Sequence, residues 1–96
     1  MVEVRKTAVF QAWYERLRDV RAKARIDSRI DRLSLGHFGD AKAIGEGVSE
    51  LRLAYGSGYR LYLARHGQSI IILLCCGDKG TQRRDIARAK QMAREI

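Results

Sequence analysis

Phe10, Trp13, Leu17 and Val20 recur at three- and four-residue spacing, which draws one apolar stripe along a helix. Thr7 stands just ahead of it, where a hydroxyl accepts an unpaired N–H of the first turn. A second helical stripe carries Ala22, Ile26, Ile30 and Leu33 and stops at Gly36. Neither glycine nor proline separates the two stripes, so a helical hairpin and a single kinked helix both satisfy the pattern. Ahead of them Val2-Glu3-Val4-Arg5 alternates as a short strand. Behind them Gly36 to Gly47 is rich in glycine and reads as a loop.

The period then changes to two. Leu51, Leu53 and Tyr55 alternate with Glu50, Arg52 and Ala54, and Leu61 and Leu63 alternate with Arg60, Tyr62 and Ala64. Gly56-Ser57-Gly58 between them predicts a hairpin. All four leucines share a face if Tyr55 opposes Tyr59 across a three-residue turn. Arg52 then faces Tyr62 directly and Arg60 diagonally, with all three on the other surface. After a turn at His66-Gly67, the run Ile70 to Cys76 is apolar on both sides, as in a strand covered from both faces. Gly77-Asp78-Lys79-Gly80 ends that strand. Thr81 is placed to cap a last helix with Ile86, Ala89, Ala93 and Ile96 inside. The predicted order is β-α-α-β-β-β-α, an α+β fold with helices on one face of a mainly antiparallel sheet.

The 96 residues suit a single domain, 1–96, without repeat or linker. Nineteen Lys and Arg against eleven Asp and Glu leave a net charge of +8. Fourteen of the nineteen cations are arginine, which favours forked contacts to phosphate or carboxylate. Such a field attracts polyanions, nucleic acid or an acidic protein among them. The longest apolar run falls far short of the roughly 20 residues a membrane span needs. The N-terminal residues contain no apolar signal segment, so a cytoplasmic protein without membrane contact is expected. Cys75 and Cys76 are adjacent in a strand and point to opposite faces, so neither a disulfide nor a zinc site is expected. No cofactor or metal is implied.

Two guanidinium groups and a phenol aimed at one patch suggest a phosphate contact, because the two cations repel unless an anion lies between them. Lys79 would stand at the edge of that patch, with Gln82 and Arg83 just inside the last helix. Helix N-termini hold anions, although Gly-x-x-Gly alone is a weak motif and lacks the longer Walker pattern.

Glu50-Leu51-Arg52, then Gly58-Tyr59-Arg60-Leu61-Tyr62, then Gly77-Asp78-Lys79-Gly80-Thr81-Gln82 with Asp85-Ile86 and Ala89, resemble the RelE/ParE toxin superfamily. The branch they are most similar to is the HigB-like group of addiction-module killer proteins, and the resemblance spans almost the whole chain. It implies the toxin of a type II toxin–antitoxin pair, with a helix-turn-helix antitoxin of the HigA kind as partner. RelE and HigB branches cut mRNA on translating ribosomes, whereas the ParE branch poisons DNA gyrase. The resemblance maps phosphate binding onto Arg60 and Lys79, with Arg52 as a further basic strand position. Some RelE members carry a tyrosine in the last helix for proton transfer, where this chain has Arg83, Arg84 and Asp85. HigB histidines on the sheet face likewise have no counterpart.

Metal-free RNA cleavage needs the 2′-hydroxyl deprotonated, the phosphorane charge stabilised and the leaving 5′-oxygen protonated. Arg52 and Arg60 suit the second task, and Lys79, Asp85 or Tyr62 the proton transfers. Arg83, Arg84, Gln82, Tyr59 and Lys42 are the expected RNA contacts, Tyr59 by stacking on a base. An endoribonuclease acting with the ribosome on mRNA is the first reading. The alternatives are a ParE-like gyrase inhibitor and a non-catalytic binding module with the same fold. Arg18, Arg21, Arg25, Arg29 and Arg32 repeat at three- and four-residue spacing along the hairpin as a solvated face, or as a landing strip for ribosomal RNA or an acidic antitoxin segment. Asp27 and Asp31 partly offset that row.

Overall fold

The computed structural model describes residues 2–96; Met1, the first residue of the expected domain, lies outside them. Its elements are β1 (Glu3–Lys6), α1 (Ala8–Arg16), α2 (Val20–Ser34), β2 (Ala41–Gly45), β3 (Val48–Arg52), β4 (Arg60–His66), β5 (Ile70–Gly77) and α3 (Gln82–Arg94), with a single 3₁₀ turn, Lys79–Thr81, before α3. The five strands form one sheet in the order β1-β5-β4-β3-β2, antiparallel except for the parallel β1–β5 pair. The fold class is α+β, as the periodicity implies.

Thr7 caps α1 by accepting the Phe10 N–H at 3.1 Å. The helical hairpin breaks at Leu17–Asp19, where Asp19 accepts the Arg21 and Ala22 N–H groups and starts α2 afresh. At its other end α2 closes with a pair of capping bonds, His37 N–H to Arg32 and Gly36 N–H to Leu33. Gly36 takes φ +85°, a left-handed conformation that glycine adopts without strain.

Phe10, Ile26, Leu33, Leu51, Leu53, Leu61 and Leu63 bury together between the hairpin and one sheet face, so the four leucines do look inward together. Two stripe residues do not follow. Val20 and Ile96 are exposed, because each lies at a helix end beyond the sheet's cover.

Two expectations need correction. The helices are not all on one face, since α3 covers the other side through Ala89, Ile86 and Ala93 against Val48, Tyr62, Leu74 and Cys75. The long loop also contains a strand, β2, at the sheet edge. Its Ala41, Lys42 and Ala43 are solvent-exposed and so show no apolar alternation. Its hairpin turn uses Glu46 at φ 55° and Gly47 at φ +77°, both left-handed as the tight two-residue turn requires.

The unbroken apolar run of β5 has a local cause. Pairing with β4 shifts by one residue between Tyr62 and Leu63, so Leu74 is an extra residue that joins Cys75 on the α3 side. Cys76 returns to the hairpin side, and both cysteines are free and buried. Burial pushes the Cys75 thiol up to about 11, with Asp85 adding to the shift.

Candidate functional site

β3 and β4 pair with Arg52 directly opposite Arg60, Leu51 opposite Leu61 and Glu50 opposite Tyr62. The register is two residues away from the one inferred from the leucines. Tyr55 starts the turn, accepting the Gly58 N–H at 3.1 Å, and does not end the strand. A two-residue shift preserves the faces, because side chains alternate with period two. Arg52 and Arg60 therefore project to the same side, closer than the inferred diagonal.

Like charges directly across a sheet repel, yet here each guanidinium has a carboxylate of the chain's own. Arg52 reaches Asp40 at 3.6 Å in an exposed pair. Arg60 lies 3.7 Å from Glu50, and that pair is enclosed: the Arg60 side chain is 11% exposed and Glu50 2%. The same Glu50 oxygen accepts the Tyr62 hydroxyl and the Gln82 amide, each at 2.9 Å. Arg60 donates from Nη1 to the Gly58 carbonyl at 2.7 Å, while its Nε is buried without a hydrogen-bond partner. The cluster is thus a cationic group at the base of the sheet end, fixed over a buried anion.

Lys79 approaches from β5. Its N–H donates to the Ser57 carbonyl at 3.3 Å, which ties the strand-to-helix turn to the β3–β4 turn. A side chain at Gly58 would meet Arg60 Nη1 at 3.2 Å and the Lys79 Cβ at 3.5 Å. Gly58, at φ +77°, is therefore the point around which Arg60 and Lys79 converge. Arg52, Arg60 and Lys79 come together at one end of the sheet.

The remaining candidates divide. Tyr62 does not face an open patch, because α3 lies over it. It is fully buried and its phenol pKa is raised, first by burial and then by donation to Glu50. Asp85 is also buried, accepting the Thr81 hydroxyl and lying 3.8 Å from Arg84 Nε. Gln82 is half-buried and committed to Glu50. Tyr59 turns to the hairpin side, packed edge-on against Trp13 with ring centroids 5.9 Å apart. Lys42 is exposed on β2 opposite Glu50. Arg83 and Arg84 are exposed and line a shallow depression with Gly80, Thr81 and Ala87.

Thr81 is not the side-chain cap expected of it. Asp78 accepts the Gly80 and Thr81 N–H groups, and the Thr81 hydroxyl accepts the Asp78 N–H in return. That reciprocal box closes the 3₁₀ turn ahead of α3, while α3 itself starts without a side-chain cap.

Sequence reasoning passed over Glu50 and Arg29. Glu50 carried a signal, an acidic residue two before Arg52 on the same strand face. Arg29 belongs to the arginine row of α2, yet it is buried and donates to the Arg52, Phe38 and Asp40 carbonyls at 2.7, 3.0 and 3.3 Å. It fastens the backbone of the candidate site to the hairpin from the opposite side of the sheet. Among the described residues no group of His, Cys, Asp and Glu is arranged to hold a metal ion. No helix among them is long and apolar enough to cross a membrane.

Fold and site together define a small basic α+β domain with an arginine–lysine cluster built over an enclosed carboxylate. No family model matches the sequence. The chain is 45% identical over 95 residues to an uncharacterized protein of Haemophilus influenzae, spanning 99% of this chain and 96% of that protein, and it belongs to the same family.

Proposed function

We propose that this chain is the toxin of a type II toxin–antitoxin pair of the RelE/ParE superfamily, a cytoplasmic endoribonuclease that cuts mRNA on the ribosome. The observation that carries the reading is the Arg52–Arg60 cross-strand pair with Lys79 beside it at Gly58. The resemblance of Gly58-Tyr59-Arg60 and Asp78-Lys79-Gly80-Thr81 to that superfamily supports it, as does the net charge of +8.

In this reading the 2′-oxygen attacks phosphorus, a new P–O2′ bond forms and the P–O5′ bond breaks. One fragment ends in a 2′,3′-cyclic phosphate and the next begins with a 5′-hydroxyl. Arg60, kept in place by Glu50 and the Gly58 carbonyl, meets the charge that grows on the phosphoryl oxygens, with Arg52 alongside. Exposed Lys79 takes part in proton transfer. Tyr62 and Asp85, enclosed under α3, hold the frame and do not touch RNA. A helix-turn-helix antitoxin would silence the toxin by covering the Arg52, Arg60 and Lys79 end of the sheet.

One observation favours a second reading, a binding module that cuts nothing: Arg60 already has Glu50 as its counter-charge. Purified protein added to a translating extract separates the two. Discrete, codon-spaced mRNA cuts are expected, reduced at least tenfold in folded Arg60→Ala and Lys79→Ala variants, which is about 1.4 kcal/mol of barrier or more. Uncut mRNA with intact gyrase supercoiling identifies the binding module, and blocked supercoiling identifies a ParE-like gyrase inhibitor.

A further inference from the structure

The arginine row of the hairpin lies on the opposite face of the sheet from the Arg52 and Arg60 side chains, with Arg29 reaching the Arg52 carbonyl from that side. Among the described residues no carboxylate lies within 4.0 Å of a cationic nitrogen of Arg18, Arg21, Arg25, Arg29 or Arg32. Of the acidic residues nearest in sequence, Asp31 forms no ion pair with any of the five and the other two are engaged elsewhere. Asp19 caps α2 and accepts the Tyr55 hydroxyl, and Asp27 accepts the Tyr14 hydroxyl at 2.7 Å. The charge of the row is therefore not neutralised within the molecule.

The row also borders a cavity. A cleft of about 220 Å³ runs between α2 and the end of β3, lined by Arg25, Ser28, Arg29, Arg32, Tyr55 and the Leu53–Ala54 backbone turn. A second hollow against the Gly36–Gly39 loop continues from it past Arg29 and Arg32. Arg29 forms the floor with its guanidinium spent on three carbonyls. Burial first, and then the neighbouring Arg32 charge, pull its pKa down, while Asp40 acts the other way. Arg25 is held at the rim by stacking 4.6 Å over the Tyr55 ring.

We propose that this cleft and the Arg21–Arg25–Arg32 edge bind the phosphate backbone of folded RNA, as a second site separate from the Arg52, Arg60 and Lys79 cluster. Guanidinium forks match phosphate oxygens two at a time, and the Ser28 hydroxyl adds a donor between them. From Arg21 to Arg32 the helix rises about 16 Å, enough for several successive phosphates. An amphipathic acidic protein segment fits less well. It needs apolar anchorage, and the exposed large apolar residues here, Val20 at the start of α2 and Leu35 just past its end, flank the row, with Arg21, Arg25, Ser28 and Arg32 between them on the cleft side. The inference does not depend on whether the protein cuts RNA.

The test is fluorescence anisotropy of the full chain with a labelled 20-base-pair RNA hairpin across a salt series. Arg25→Gln/Arg32→Gln should weaken binding at least tenfold at 100 mM salt and flatten the log–log salt slope by about 1.5 to 2, the loss of two phosphate contacts. Arg5→Gln/Arg94→Gln removes the same charge from arginines that are already paired, and should change affinity less than twofold. Both doubles remain folded by circular dichroism, since none of the four side chains is buried. Equal losses in the two doubles, or no loss in the first, would overturn the site. So would polyglutamate competing for the wild-type protein as well as unlabelled RNA does, which would make the cleft a protein-docking surface.

Discussion

Glu50→Ala should lower the melting temperature by more than 12 °C, followed as loss of helical circular dichroism on heating. The mutation removes an anion that is almost fully enclosed and leaves three donors facing a void: Tyr62 Oη, Gln82 Nε2 and Arg60 Nε. Stripping one partner from a buried ion pair costs about 3–5 kcal/mol, because the survivor keeps its charge without compensation. In a domain of this size each kcal/mol moves the midpoint by about 4–8 °C. The sign reverses if both charges go: Glu50→Ala/Arg60→Met should recover much of the loss, since an apolar side chain does not need the anion. A Glu50→Ala protein that melts within 2 °C of wild type would mean that Arg60 and Glu50 do not depend on one another.

Gly77→Ala should be nearly as damaging, at about 2–3 kcal/mol, although it adds a single methyl group. The backbone conformation at Gly77 is not the difficulty. The first turn of α3 crosses so closely that a Cβ would lie 1.9 Å from Asp85 Oδ2 and 2.6 Å from Thr81 Oγ1. Asp85 cannot swing aside into water, being 2% exposed under its own helix. Relief requires α3 to lift from β5, which opens the cover over Tyr62. The check is amide exchange: the Gln82–Ala89 protons of the variant should exchange markedly faster, while those of α2 keep their protection. Unchanged protection at α3 would show that the close approach is absent in solution.

These two residues mark where sequence reasoning ran out. The leucine periodicity of β3 and β4 was enough to put Arg52 and Arg60 on one face, and period-two alternation makes that conclusion immune to a two-residue slip. Which charges meet is another matter. Arg52 opposite Tyr62 and Arg52 opposite Arg60 differ only in where Tyr55 leaves the strand, and that is decided by the Tyr55–Gly58 turn bond. The carboxylates that relieve the arginine pair were invisible for the same reason. Asp40 sat in a stretch read as loop, and Glu50 read as the polar partner of an alternating strand.

The covering of the second face was half legible. Ile86, Ala89 and Ala93 identified the inner side of α3, but nothing local says which sheet surface a C-terminal helix will occupy. The two-sided apolar character of β5 was the available clue, and it implied cover on both faces. β2 escaped because an exposed edge strand buries too little to leave a pattern. Its signal was the Glu46-Gly47 turn, a glycine following a residue forced to φ 55°. Arg29 illustrates the opposite limit, since in a helix with four arginines the buried one has no mark of its own.

The nature of the RNA ends tests the central claim most directly. Fragments from a translating extract, made by the wild-type protein and absent with Arg60→Ala, should begin with a 5′-hydroxyl and end in a 2′,3′-cyclic or 3′-phosphate. Those termini follow when the 2′-oxygen is the nucleophile and the chain's cations carry the phosphorane charge. Fragments that begin with a 5′-phosphate, or that appear equally with Arg60→Ala, would contradict the account.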